Sequence, residues 1–461
     1  MGFAESTSGA TPRALRARDS NLSKESQYII GTLLAISVFA IFYTFGLHGM
    51  TDSKYSMVVS EDLLRHQSFA FDERSMPRRE PFALPEVRTN GYPYQIELHN
   101  GKVLYFYPVG SSVLSLPFVA LMNSTGISAH APDGSYNEPG EVSIQRVVAA
   151  FLMGILTAVF FRTAMLLLPL SWSIVLALGA AFSTQIWSTA SRVLWSHTWQ
   201  ILLLGIAAYI LLSQEKWEAR GRPFVLATIL SWAYFVRPTS SIPTAAISGY
   251  ILIYRRQEFI AYAITVASWM VAFVAYSLKL SGQVLPSYYL FHLTPKHVWV
   301  ALPGELISPS RGLFIYVPAA AFALMLVGYY WRQLSHRRLV VVSLIIITIH
   351  VFAISTDPNW WGGHCFGARL ATDVIPWLFL LAVLGSRCLL DEPSSKMRHL
   401  AMTVGLLTLV IGAFINGRGA ISPATSDWVN GPPDVDRSPR RVWDWSNPQF
   451  LAGLQLINRS R

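Results

Sequence analysis

One acid, Asp52, follows the first long apolar stretch of the chain, within the run Thr51, Asp52, Ser53, Lys54, Tyr55. A carboxylate at the lip of a membrane cavity can act as a general base, taking a proton from a hydroxyl within hydrogen-bond reach. The same residue suits a helix N-cap, because a Thr/Asp/Ser cluster opens many helices by accepting from an orphan amide. The two roles are compatible, since the positive end of a helix keeps a carboxylate ionised, as a base requires.

The cations are spread more widely. Arg237 stands in Arg237, Pro238, Thr239, Ser240, between two short apolar segments at 223–236 and 242–254. Short helices meeting at an Arg-Pro turn imply a turn recessed below the outer surface, where an arginine is costly unless it faces a polar cavity or a partner. Its forked donors suit a phosphate; the other reading is neutralisation of an acid on a neighbouring helix. Arg311 and Arg369 lie near glycines at outer helix ends, where snorkelling and substrate contact are both open. Trp360, Trp361, Gly362, Gly363 read either as an aromatic belt or as a platform for a sugar or a lipid chain. His197, His292, His297 and His364 lack metal-ligand spacing, so no structural metal is expected. The chain has no P-loop, Gly-rich dinucleotide fingerprint or serine nucleophile elbow.

What must position these residues is a membrane scaffold. Of 461 residues, 52% are hydrophobic and 13% charged, with a mean hydropathy of +0.39, more apolar sequence than a soluble core can bury. The 20 residues from Tyr28 to Leu47 carry no charge, enough to cross a hydrocarbon core of about 30 Å. A cleaved leader has a shorter apolar region after a short basic start; here 27 residues come first, so this stretch reads as an anchor. The net charge of +10 is clustered: Arg13, Arg16, Arg18 and Lys24, then Lys216, Arg220 and Arg222, then Arg255 and Arg256, then Arg332, Arg337 and Arg338, then Lys396 and Arg398. These clusters fall at alternate loops, the positive-inside pattern with a cytoplasmic N-terminus. The basicity therefore orients the chain and does not indicate nucleic acid.

The pattern predicts an all-α multi-pass membrane protein of about eleven spans. After the first come 144–163, 168–187, 197–213, 223–236, 242–254, 259–278, 314–331, 339–356, 374–391 and 399–416. The organisation expected is a cytoplasmic segment 1–27, a transmembrane domain 28–416 with a first outer loop 48–142, and an extracytoplasmic tail 417–461. In the outer loop, Tyr55, Val58, Val59 and Leu63 form a helical stripe from Ser53 to Gln67, with Lys54, Glu61, Asp62 and Arg65 elsewhere on its surface. Such a helix lies along the interface, and Val113 to Met122 reads as a second, too short to span. The inner loops are short and basic, so catalysis, if any, sits outside. Cys365 and Cys388 fall at opposite ends of one helical span, about 34 Å apart, too far for a disulfide.

The order of these features across most of residues 28–416 resembles the GT-C membrane glycosyltransferases, the class of the protein O-mannosyltransferases and lipid A aminoarabinose transferases, in a less-characterised bacterial branch. It rests on an acid directly after the first span, then Tyr107, Pro108, Val109, Gly110 before a short apolar helix. It rests further on Arg237, Pro238, Thr239 at a recessed turn, Ser308 to Gly312, Trp360 to Arg369, and Trp443 to Pro448 in the tail. The sequence departs from relatives in having Ser53 where many carry a second acid, and no lysine beside the proline that follows Tyr107.

The resemblance implies an inverting transfer of sugar from a polyprenyl-phosphate donor to an acceptor hydroxyl, on the extracytoplasmic side of a bacterial cytoplasmic membrane. It implies Asp52 as base, Arg237 as main phosphate partner, and Arg369, Arg311 and Tyr107 as companions, with Lys54, Tyr55, Trp360, Trp361 and His364 as further substrate contacts. No cofactor is expected beyond the lipid-linked donor. The partners are the bilayer, that donor, and a glycan, glycolipid or protein acceptor. Two other classes stay open: a lipid-linked glycan flippase or transporter, and a polyprenyl-diphosphate-dependent polymerase or ligase centred on the loop 279–313.

Overall fold

The computed structural model describes residues 23–72, 91–213, 221–290 and 294–454. Arg13, Arg16, Arg18, Lys216, Arg220 and His292 lie outside the described residues.

The first half of the chain forms α1 (Lys24–Phe45), α2 (Ser56–His66), α3 (Gly110–Leu114), α4 (Leu116–Ser124), α5 (Glu138–Met165), α6 (Leu170–Phe182), α7 (Ser196–Leu212) and α8 (Arg222–Val236). It is followed by α9 (Ser241–Tyr254), α10 (Arg256–Ser281), α11 (Val298–Ile307), α12 (Leu313–Tyr316), α13 (Pro318–Tyr329), α14 (Arg337–Ser355), α15 (Ile375–Asp391), α16 (Lys396–Ile421) and α17 (Pro423–Asp427). Side-chain caps mark several starts: Ser23 accepts from the Ser26 amide before α1, Asn137 from Gly140 before α5, and Ser395 from Arg398 before α16, each satisfying a donor that the first turn leaves free.

A helix stands at each of the eleven expected positions. Among the described residues, six are long and apolar enough to cross a membrane: α1, α5, α10, α14, α15 with the turn from Arg369, and α16. Their outward faces are apolar: Ile29, Leu33 and Ile36 on α1, Ile260, Ile264 and Val271 on α10, and Leu407, Val410 and Phe414 on α16 are all exposed. Side chains of that kind on three long helices need lipid, not water, around them. The chain is an integral membrane protein.

Inside, two apolar cores meet. One joins α1, α2, α5, α6 and a small sheet around Val38, Phe42, Val58, Ile144 and Phe160. The other joins α7 to α9 with α12 to α15, around Leu211, Leu230, Tyr316, Ile346 and Trp377. The first is held close at Gly154 of α5, where an added Cβ would lie 2.6 Å from the Ala35 carbonyl oxygen of α1. Helices α7 and α15 contribute to both cores, and the candidate site lies where both begin.

The outer segment differs from an all-α expectation. It holds a three-stranded antiparallel sheet in the order β1 (Ala70–Phe71), β3 (Lys102–Tyr105), β2 (Ile96–His99), with Ile96 opposite Tyr105 and His99 opposite Lys102. Asn100 and Gly101 both have positive φ, +50° and +73°, the pair that a two-residue hairpin turn requires. The expected interfacial helix is α2, entered through Tyr55 in the left-handed region at φ +72°. It is not laid on the surface. Glu61 and Asp62, expected to be exposed, are buried, because Glu61 accepts from Ser128 Oγ, the Ala129 amide and His130 Nδ1 of the segment after α4. The second expected interfacial run is broken at Ser115 into α3 and α4. Helix α16 runs to Ile421, past the expected boundary at 416, and Cys365 and Cys388 are both free.

Candidate active site

Four of the expected residues come together. Asp52 stands in the turn after α1, and its backbone carbonyl accepts from Tyr105 Oη at the end of β3. The strand then delivers Tyr107, whose hydroxyl donates to Asp52 Oδ1 at 3.1 Å. Asp52 Oδ2 takes a 2.9 Å bond from Arg369 Nη2. The helix-cap alternative is therefore not realised: the carboxylate is spent on a tyrosine and an arginine, while α2 has no side-chain cap.

Arg369 opens a 3₁₀ turn, Arg369–Val374, that runs into α15. Its guanidinium lies over the Trp195 ring, 4.5 Å from the centroid, and its Nε is buried without a partner among the described residues. Gly367, at φ +60°, lets the chain pass Tyr316, whose ring would be 2.4 Å from an added Cβ.

Four residues on, the same turn presents Asp373, buried to 3% exposure. It accepts from Arg237 Nε at 2.9 Å, His197 Nδ1 at 2.6 Å and Thr239 Oγ1 at 2.7 Å. His350 Nε2 of α14 lies 3.7 Å away and bonds to the Leu370 carbonyl. Arg237 neutralises an acid at a neighbouring helix start, the second of its two readings, and it also lines the cleft that holds Asp52. With Nε on Asp373 and Nη1 on Ser196 Oγ, its Nη2 has no partner among the described residues.

The cleft is lined by Asp52, Tyr107, Trp195, His197, Arg237, Tyr288 and Arg369. It leaves room for only about 20 Å³ of water-sized occupants, because the Asp52–Arg369 bridge spans it. Burial, reinforced by the Asp52 charge, raises the Tyr107 hydroxyl far above its ordinary value, so it stays a proton donor to the carboxylate. The site is an alternation of charge, acid, arginine, acid, arginine, which holds two positive groups in place without a bound anion.

The other expected residues are elsewhere. Lys54 pairs with Glu138 at 2.8 Å and stands by the rings of Tyr55 and Tyr136. Tyr55 is buried, with its amide bonded to Glu141 Oε2. Arg311 is buried beneath the loop after α14, donating to the carbonyls of Ser310, Trp361 and Gly363 and to Gln449 Oε1 of the tail. Trp360 packs with Ala301, Trp428, Val435 and Val442; Trp361 donates to Asp436; His364 pairs with Asp434 at 2.9 Å. These four dock the tail. His364, Asp434 and Asp436 also bring one ligand atom each within 4.8 Å of one another, the one grouping among the described residues that could hold a metal. A deep apolar cavity between α6, α13, α15 and α16, lined by Leu176, Phe322, Leu378 and Leu409 among others, offers no chemistry.

The sequence alone does not single out Asp373 or Trp195, and it raises His197 only as a metal ligand. The available signal was the Arg369 to Asp373 spacing at an outer helix start, which puts both on one turn.

No protein-family model matches the chain, and no curated protein matches it. Among solved structures it is similar to the crystal structure of ArnT from Cupriavidus metallidurans bound to undecaprenyl phosphate. The identity is 12%, the TM-score 0.45, and the match covers 88% of this chain and 70% of that one. A likeness of that size assigns neither residue roles nor a function.

Proposed function

We propose that this protein is an inverting glycosyltransferase of the bacterial cytoplasmic membrane, moving a sugar from a polyprenyl-phosphate donor to an acceptor hydroxyl on the extracytoplasmic side. The observation that carries it is the convergence of Asp52, Tyr107, Arg237 and Arg369 on one cleft, from four separate parts of the chain. Asp52 takes the acceptor proton as the acceptor oxygen bonds to the anomeric carbon and the bond from that carbon to the phosphate oxygen breaks. The electron pair leaves with polyprenyl phosphate, whose growing charge is met by Arg237 Nη2 and Arg369. Fixed cations aimed at a leaving group are the larger part of such catalysis, and a phosphate leaving group needs no general acid.

In the resting cleft Arg369 is committed to Asp52. The donor phosphate competes for that guanidinium, and the carboxylate is released as a base when the donor binds. His197, Thr239 and Asp373 position Arg237 and touch no reacting atom.

A transporter reading has one observation in its favour: Asp373, His197 and Arg237, at helix starts and ends, form a buried polar cluster with His350 from within α14, the kind of group that marks ion pathways. The test is transfer of labelled sugar from a panel of polyprenyl-phosphate sugars by membranes carrying wild-type protein or Asp52→Asn at matched expression. Transfer that is lost in the variant supports the enzyme. Donor crossing the bilayer without release of polyprenyl phosphate, in both proteins, rejects it in favour of transport.

A further inference from the structure

A second cavity adjoins the cleft. It shares Trp195 with it and begins one residue before Asp52, at Gly49, Met50 and Thr51; its far wall is the tail, through Ser426, Asn430 and Gln449. With about 220 Å³ of open space against about 20 Å³ in the cleft, it is the roomier of the two.

Its chemistry is set by Arg192, in the turn before α7. Arg192 Nε donates to the Leu47 carbonyl at 2.8 Å, and the Arg192 carbonyl takes His48 Nδ1 at 2.6 Å, so the guanidinium is anchored at one nitrogen. No carboxylate pairs with it among the described residues. Burial alone draws its pKa down to about 10, which an acid nearby would oppose. His48 offers no anion either: burial first, with the charges of Arg146 and Arg192, pushes its pKa down against the raising effect of its bond to the Arg192 carbonyl, and so favours the neutral ring. Asp434 and Asp436, which pair with His364 of the cavity lining, are occupied by it, by Trp361 and by the Asp436 and Arg437 amides. The same cavity is lined by Ser426 and Asn430, whose side chains make no hydrogen bond among the described residues, and by Thr51, whose Oγ1 is buried without a partner among them. A half-buried cation with no carboxylate partner among the described residues, in a polar cavity of sugar size, suits an anion.

We infer that this cavity is the acceptor site and that it takes a sugar carrying an anionic group, phosphate or carboxylate, held by Arg192. The identity of the cavity as an acceptor site rests on the transferase reading; the anion preference does not.

The test is equilibrium binding of glucose, glucose 6-phosphate and glucuronic acid to the purified full chain in lipid nanodiscs. The anionic sugars should bind at least ten-fold more tightly than glucose; whichever of the two binds better names the anion. Arg192→Gln should erase that preference, and Arg192→Lys should keep part of it, which guards against a loss that is only misfolding. Equal binding of all three sugars by wild type, or a preference that disappears in Arg237→Gln and survives in Arg192→Gln, overturns the proposal. If the preference follows Arg192 while no polyprenyl-phosphate sugar is ever consumed, the anion site stands and the transferase reading falls. If transfer runs on a neutral acceptor and Arg192→Gln does not slow it, the reverse holds.

Discussion

Arg369 Nη2 lies 2.9 Å from Asp52 Oδ2, although 317 residues separate them in sequence. The pair closes the cleft and holds the candidate base in a neutralised state. A donor phosphate that draws Arg369 away therefore both binds and activates. On this view Asp52→Asn should lower transfer by about 10²–10⁴-fold, the usual worth of a positioned base, while donor affinity stays the same or rises because Arg369 is freed. Donor binding measured on the variant decides this: affinity that falls together with transfer would make Asp52 part of the donor site instead.

Asp373 fixes Arg237 through a direct bond to Nε. Removing one partner of a buried ion pair costs about 3–5 kcal/mol, so Asp373→Asn should lower the thermal midpoint and weaken donor binding together. Arg237→Lys keeps the charge but loses the fork. It should fold near normally and raise the donor Kd about ten-fold, about 1.4 kcal/mol. A lysine variant with wild-type donor affinity would remove Arg237 from the phosphate site.

Asp62 supplies a pH signature distant from the chemistry. Burial pushes its carboxyl up to about 6, against the pull of His130, and its Oδ2 has no partner among the described residues. An acid whose folded pKa lies above its unfolded value of about 3.9 favours folding while protonated, so that stability is full below about pH 4 and is lost as pH rises through 6. Asp62→Asn should therefore raise stability at pH 7.5 by up to about 3 kcal/mol and change little at pH 4. Denaturant titrations of both proteins at the two pH values measure this; a gain that is equal at both rejects it.

Arg311 offers a contrast to Arg237. Its donors are committed to three loop carbonyls and to Gln449, so Arg311→Ala should loosen the tail and expose residues 423–454 to protease, with donor affinity unchanged. If Arg311→Ala weakens donor binding as much as Arg237→Ala does, Arg311 is a ligand after all.

Arg237 and Arg369 supply the positive charge for the departing phosphate, so we propose that transfer needs no metal. Chelation should leave the rate within about two-fold, a difference below 0.5 kcal/mol. Activity lost to a chelator and restored by a divalent cation would turn attention to His364, Asp434 and Asp436.

The membrane class was legible in the sequence because hydrocarbon imposes a length and an absence of charge on every crossing segment, and among the described residues six helices meet both demands. The outer sheet was not read from the sequence: Asn100 and Gly101 mark its hairpin turn, but the paired strands are only four residues each, too short for a clear alternation. Asp52 and Arg237 stood out because a charge beside an apolar segment must have a reason to be there. What separated Arg369 from Arg311, or Tyr107 from Tyr55, was invisible: each pair has the same residue type in a similar local setting. Only the folding of the tail onto the loop after α14, and of the hairpin against the turn after α1, decided which cation meets Asp52 and which holds Gln449. Side-chain type and local periodicity act over a few residues, whereas charge pairing is settled by which distant segments share the same few ångströms.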